Sequence, residues 1–146
     1  MFPAAVFWRL SVFALAFEAL DIARLVERLD VDETAGALVC FEGRVRNQHG
    51  GRAVLRLDYE AHEALAVEVG ERLLAEAHQR FAVRAACVHR VGELALGEIA
   101  VWVGVAGAHR DESFQACRWI IDEVKRQVPI WKREYYADGE VCWRHP

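Results

Sequence analysis

The sequence predicts an α+β fold, and three observations support it. Three segments repeat apolar residues at helical spacing, the strand-like runs between them come mostly in pairs, and there is no internal repeat or low-complexity tract. Helices alternating irregularly with paired strands favour an α+β sandwich over a doubly wound parallel sheet.

Residues 1–9 are expected to be an N-terminal extension of unassigned role, with residues 10–146 forming a single domain; the apolar run 10–17 is its first strand. The N-terminal stretch lacks a basic leader, Arg9 interrupts its apolar run, and Glu18 follows before any cleavage signal, so a signal peptide is not expected. Between its charges it is also too short to span a bilayer, which points to the cytoplasm. "LDIARLVERLD" places Leu20, Ile22, Leu25, Val26 and Leu29 on one side of a short amphipathic helix. "GALVCF", residues 36–41, is a continuous apolar run between glycines and predicts a strand buried on both faces. "EGRVRNQHGGR", residues 42–52, is polar, basic and glycine-rich and predicts a mobile loop.

"AVLRLDY", residues 53–59, alternates apolar and charged positions as a half-buried strand does. A long helix is expected over 60–81, burying Leu65, Val69, Leu73, Ala77 and Phe81. "VRAACVHRVGEL" and "EIAVWVGVAG" then predict two strands joined by a turn at Leu96, Gly97 and Glu98. The last helix is expected over 111–128 and stops at Pro129, because a proline pushes the preceding residue out of helical geometry. "IWKREYY" continues as an extended segment, and "DGE" turns the chain into "VCW".

With 146 residues, 54% of them hydrophobic and 27% charged, the composition is that of one globular domain rather than a disordered chain. A net charge of −4 exerts no long-range pull on nucleic acid or an anionic membrane, so affinity for an anion must come from a local cluster of cations. The four cysteines form no C-x-x-C pair, which removes the zinc-ribbon and thioredoxin motifs. Cys40, Cys87 and Cys117 lie in apolar surroundings where a reduced thiol behaves as a small hydrophobe.

Cations occur at particular points of this acidic chain. At about 100° per residue, Phe114, Cys117, Ile120, Ile121, Val124 and Val128 share one apolar arc of the last helix, and Lys125 falls just beyond its edge. Such a lysine either snorkels its head back into water, or reaches an anion, or has a lowered pKa. His109 and Arg110 follow "GVAGA" at a helix start, where free N–H groups favour an anion; Asp111 and Glu112 could equally account for that sequence as first-turn residues. Arg44 and Arg46, two apart, share a side if the chain there is extended. With Lys132, these residues suit a phosphorylated small molecule.

The stretches "GALVCFEGRVRN", "LDYEAH", "VHRVGEL", "VGVAGAHRDESFQACRWIIDEVK" and "VPIWKRE" resemble, in order and spacing, the large catalytic subunit family of molybdopterin synthase, over about residues 10–143. The resemblance implies an α/β hammerhead fold with an additional small antiparallel β subdomain. It also implies a sulfurtransferase of molybdenum-cofactor biosynthesis that converts a cyclic pyranopterin monophosphate to the dithiolene of molybdopterin. The sulfur would arrive as the C-terminal thiocarboxylate of a small ubiquitin-like partner subunit, and the large subunit would pair with a second copy of itself. Carried over by motif, Lys125 and Lys132 are the expected catalytic residues. The stretch Arg44, Val45 and Arg46, the pair His109 and Arg110, and Arg133 and Glu134 beside Lys132 complete the expected substrate site. Neither a metal nor a cofactor is required by these motifs, and neither a nucleic-acid nor a membrane partner is expected.

Two departures stand out: Arg44 replaces the lysine common in "GKVRN", and His62 stands where a tyrosine is frequent. Arg144 aligns too loosely for a role to be assigned. A non-catalytic module docking a ubiquitin-like tail is the main competitor, and retention of all these cations argues against it. Nucleic-acid binding by the loop from Arg44 to Arg52 is opposed by the net charge and by the absence of aromatic interleaving.

Overall fold

The structure is a computed structural model that describes residues 12–145; the expected extension, residues 1–9, lies outside them. Its elements in chain order are β1 (Val12–Ala16), α1 (Ile22–Leu29), β2 (Ala37–Arg44), β3 (Gln48–His49), β4 (Arg52–Ala61), α2 (Glu63–Phe81), β5 (Arg84–Arg90), β6 (Gly92–Ala95), β7 (Ile99–Gly107), α3 (Arg110–Gln127), β8 (Ile130–Tyr136) and β9 (Val141–Arg144). One sheet has the order β1-β5-β7-β2, with β1 parallel to β5 and the other pairs antiparallel. The second is antiparallel, order β3-β4-β8-β9, with β6 also paired to β4. The expected α+β class therefore holds.

Helices α2 and α3 pack on one face of the first sheet, and α1 covers part of the other. Alternating residues of β5 serve both cores. Ala85 and Cys87 join the α2/α3 side, while Ala86 and Val88 meet Leu25 and Leu29 of α1 around the buried Trp102. Gly70 allows α2 to approach β1, since a Cβ there would come within 2.1 Å of the Phe13 ring.

Several expectations are corrected. The strands buried on both faces are β5 and β7; β2 is an edge strand whose burial alternates, leaving Leu38, Cys40 and Glu42 exposed. The reason is coverage, because among the described residues α1 packs chiefly on β5 and β7. Cys40 is accordingly exposed, while Cys87 and Cys117 are buried as expected. The stripe of α2 is rotated from the expected one: Ala66, Gly70, Leu73, Leu74 and Ala77 are buried, Val69 and Phe81 only partly, and Leu65 is exposed. The helix starts at Glu63, where the His62 ring accepts a hydrogen bond from the Leu65 N–H.

The segment 42–52 is structured rather than a mobile loop. It contains the end of β2, a short β3, and a hairpin turn at Gly50 and Gly51, both at positive φ. The run 83–94 is two strands and not one. Gly92, at φ +97°, breaks it so that β5 stays in the first sheet and β6 joins β4 in the second. These last two corrections matter because the candidate site lies where the two sheets meet.

Candidate active site

Strand β2 ends in a bulge between Gly43 and Arg44. Just beyond it Val45 is buried and pinned on both sides: its N–H donates to the Glu98 carbonyl at 3.0 Å, and its carbonyl accepts from the Gly97 N–H at 2.8 Å. With the backbone fixed between them, Arg44 and Arg46 reach the same hollow, of about 150 Å³. Lys125 near the end of α3, Lys132 and Glu134 of β8, Tyr59 of β4, His89 of β5 and His49 of β3 line it as well.

Pro129 explains how two lysines seven positions apart share one hollow. It ends α3, its carbonyl accepts from the His62 N–H at 3.1 Å, and the chain turns directly into β8 alongside β4. Strand alternation then points Lys132, Glu134 and Tyr136 inward and Trp131, Arg133 and Tyr135 to the other face.

Glu134 organises the inner face. Its side chain is 1% exposed and lies 3.1 Å from the Lys132 ammonium, 3.5 Å from Arg144 and 3.8 Å from His49, and it accepts from the Tyr136 hydroxyl. Burial alone would raise its pKa, but the bonds from Tyr136 and Lys132 outweigh that and hold the carboxyl below its usual range. A buried carboxylate so surrounded keeps its charge and fixes the ammonium opposite it.

Among the described residues Lys125 and Arg46 carry no ion pair, so their charge is available to a ligand. Lys125 is exposed as a whole residue, yet its amine is held below the ordinary lysine range. Withdrawal from water is the main cause, and the charges of Lys132 and Arg46 act in the same direction against Asp122. Lys125 thus lies at the edge of the helix stripe, where both its expected options, anion binding and a softened pKa, are open to it. The arrangement can hold an anionic oxygen and deliver a proton to it.

The remaining expected site residues lie elsewhere. Arg133 projects from the opposite face, 2.9 Å from Asp58 and stacked on Trp143 at 4.7 Å. His109 and Arg110 are exposed at the other end of α3, about 22 Å from Lys125 at about 1.5 Å per residue. There the His109 N–H donates to Glu112 at 2.9 Å, so this pair also has an ordinary helix-start function. Arg52, the last arginine of the basic segment, is held by Asp138 at 2.9 Å and by Glu140. Sequence reasoning did not anticipate His89, Tyr59 or His49 around the hollow, and it left Arg144, which lies 3.5 Å from Glu134, without a role. The available signal was His89-Arg90, two polar residues closing the apolar run "RAACV".

The profile of the MoaE protein family matches residues 15–127. A molybdopterin synthase catalytic subunit of Pyrococcus abyssi is 46% identical over 108 residues, covering 73% of each chain. One of Oryza sativa subsp. indica is 45% identical over 126 residues, which are 86% of this chain and 64% of the rice protein. In three dimensions the chain overlays the crystal structure of molybdopterin synthase from Staphylococcus aureus with a TM-score of 0.83 and 30% identity, covering 89% of this chain and 94% of that one. The overlay bears out the hammerhead-like α+β architecture implied by the motifs. On this evidence from sequence and fold, the chain belongs to the MoaE family.

Proposed function

We propose that this chain is the catalytic subunit of a molybdopterin synthase, working in the cytoplasm as a sulfurtransferase. The thiocarboxylate at the C-terminus of a small ubiquitin-like partner delivers sulfur to a cyclic pyranopterin monophosphate held in the hollow. One observation carries this proposal: cations from the end of β2, from α3 and from β8 converge on one hollow, in a chain of net charge −4, and three of them, Arg44, Arg46 and Lys125, have no ion-pair partner among the described residues. Attack by the thiocarboxylate sulfur and opening of the cyclic phosphate both build negative charge on oxygen. Positioned cations stabilise that charge most strongly where water is excluded.

Lys125, with its softened amine, is the residue that moves protons during addition and elimination. Lys132, clamped by Glu134, supplies a fixed positive charge. His109 and Arg110 stand too far along α3 to reach the hollow of their own chain, so they serve the hollow of a second copy in a homodimer and hold the substrate's anionic group there.

The deciding experiment incubates the purified chain with the pterin precursor and the thiocarboxylated small partner and assays for dithiolene product. Product that depends on all three supports the assignment; no product with active components refutes it.

A further inference from the structure

We propose that His89 is a specificity-determining residue of the hollow, a fixed and uncharged hydrogen-bond acceptor that receives a ring or amino N–H of the pterin while the surrounding cations take the phosphate. This rests on the function proposed above and adds to it the group that reads the uncharged part of the substrate.

The chemistry of the lining leaves that task unfilled. Arg44, Arg46, Lys125 and Lys132 are all donors, and the Glu134 carboxylate is already engaged by Lys132, Tyr136 and Arg144. His49 and Gln48 line it too but are more exposed than His89, and the Tyr59 hydroxyl can donate as well as accept. His89 is only 5% exposed and lines both the hollow and a smaller apolar pocket beneath Lys125 that is formed by Ile121, Val124 and Val128.

Both its tautomer and its orientation are set by the fold. Nδ1 lies 2.7 Å from the Arg90 carbonyl, which can only accept, so Nδ1 carries the proton and Nε2 presents a bare lone pair. Tyr59 packs edge-on against the ring, with centroids 4.9 Å apart and planes at 77°. Nε2 has no partner among the described residues. Burial, with the Lys125 charge adding to it, keeps the ring neutral down to about pH 4, which makes it a poor proton store but a dependable acceptor. A lone pair held in this way attracts an N–H and repels a phosphate oxygen, so it distinguishes the ring from the anionic end of the ligand.

The test uses the full chain labelled with [15N]histidine and follows the His89 Nε2 resonance during titration with cyclic pyranopterin monophosphate, with inorganic phosphate as control. The resonance is expected to move with the pterin and to stay in place with phosphate alone. His89→Phe, which keeps a ring against Tyr59, is expected to bind the pterin about 10- to 100-fold more weakly, and His89→Gln, which keeps an acceptor, to recover much of that loss. An Nε2 resonance unmoved at pterin saturation overturns the proposal, and so does wild-type affinity in His89→Phe. If that variant fails to fold, the wild-type titration decides alone. Wild-type protein that binds the pterin and moves Nε2 but yields no product with the thiocarboxylated partner refutes sulfur transfer and leaves the His89 assignment standing.

Discussion

Helix α3 presents cations at both of its ends, and the two ends differ in what surrounds them. At the C-terminal end Lys125 meets Arg44, Arg46 and Lys132 across a hollow that His89 also lines, with the buried Glu134 fixing one of the lysines. At the N-terminal end His109 and Arg110 are exposed, and the His109 N–H is bonded to Glu112 of the first turn. Basic residues stand at both places. The difference is convergence: the C-terminal end gathers groups from three strands and a loop, so its charges act together and lose water together. The N-terminal end stays exposed, and its charges act singly.

The largest effect is expected at Lys125. Lys125→Ala is expected to lower product formation about 10²- to 10⁴-fold while the small partner still binds, measured by product assay and by calorimetric titration side by side. Wild-type turnover in the variant would remove the C-terminal end from the chemistry. Next, Glu134→Gln leaves Lys132, Arg144 and His49 facing a neutral group. It should cost about 3–5 kcal/mol of unfolding free energy in a urea melt, and an unchanged melt would mean that the carboxylate does not organise the hollow.

His89 gives a pH test of how dry that end is. In the folded chain it stays unprotonated down to about pH 4, against 6.5 for the free group, chiefly through burial. The unfolded chain therefore binds the extra proton, and stability falls as pH drops from about 6.5 to about 4, by about 3 kcal/mol, and levels off below. Denaturant melts across that window should slope less steeply in His89→Phe than in wild type.

The N-terminal end is tested by mixing. If His109 and Arg110 act on a partner's hollow, co-refolded Lys125→Ala and Arg110→Ala chains regain roughly a quarter of wild-type activity, because half the dimers are mixed and each mixed dimer keeps one intact site. No recovery would assign the pair to helix capping alone. The smallest effect is expected at the exposed Cys40 on edge strand β2, where Cys40→Ser should leave turnover unchanged and stability within about 0.5 kcal/mol; a large loss would put a thiol into the sulfur transfer.

The legible parts of the site were those written in local pattern. The 3.6-residue period put Lys125 at the edge of a buried stripe, Pro129 marked where α3 must stop, and the spacing of Arg44 and Arg46 put both on one side. The same local rules misjudged β2, because burial of a strand's second face depends on which helix covers it. They also ran β5 into β6, since a single glycine among polar and apolar residues does not declare a change of sheet. Arg133 illustrates the finer point: it is adjacent to Lys132 in sequence, and the pleat of β8 turns it to the opposite face, against Asp58.

Local pattern was enough for the α+β class, the helices, the proline stop and the family motifs, because periodicity, propensity and backbone restriction act over a few residues. Packing of the whole chain was needed to bring Arg46, His89, Lys125, Lys132 and Glu134 to one hollow and to leave His109 and Arg110 of the same chain away from it. Strand register and the meeting of two sheets bring together residues up to about ninety positions apart, and pairing across such distances is fixed by collective packing rather than by any local stretch.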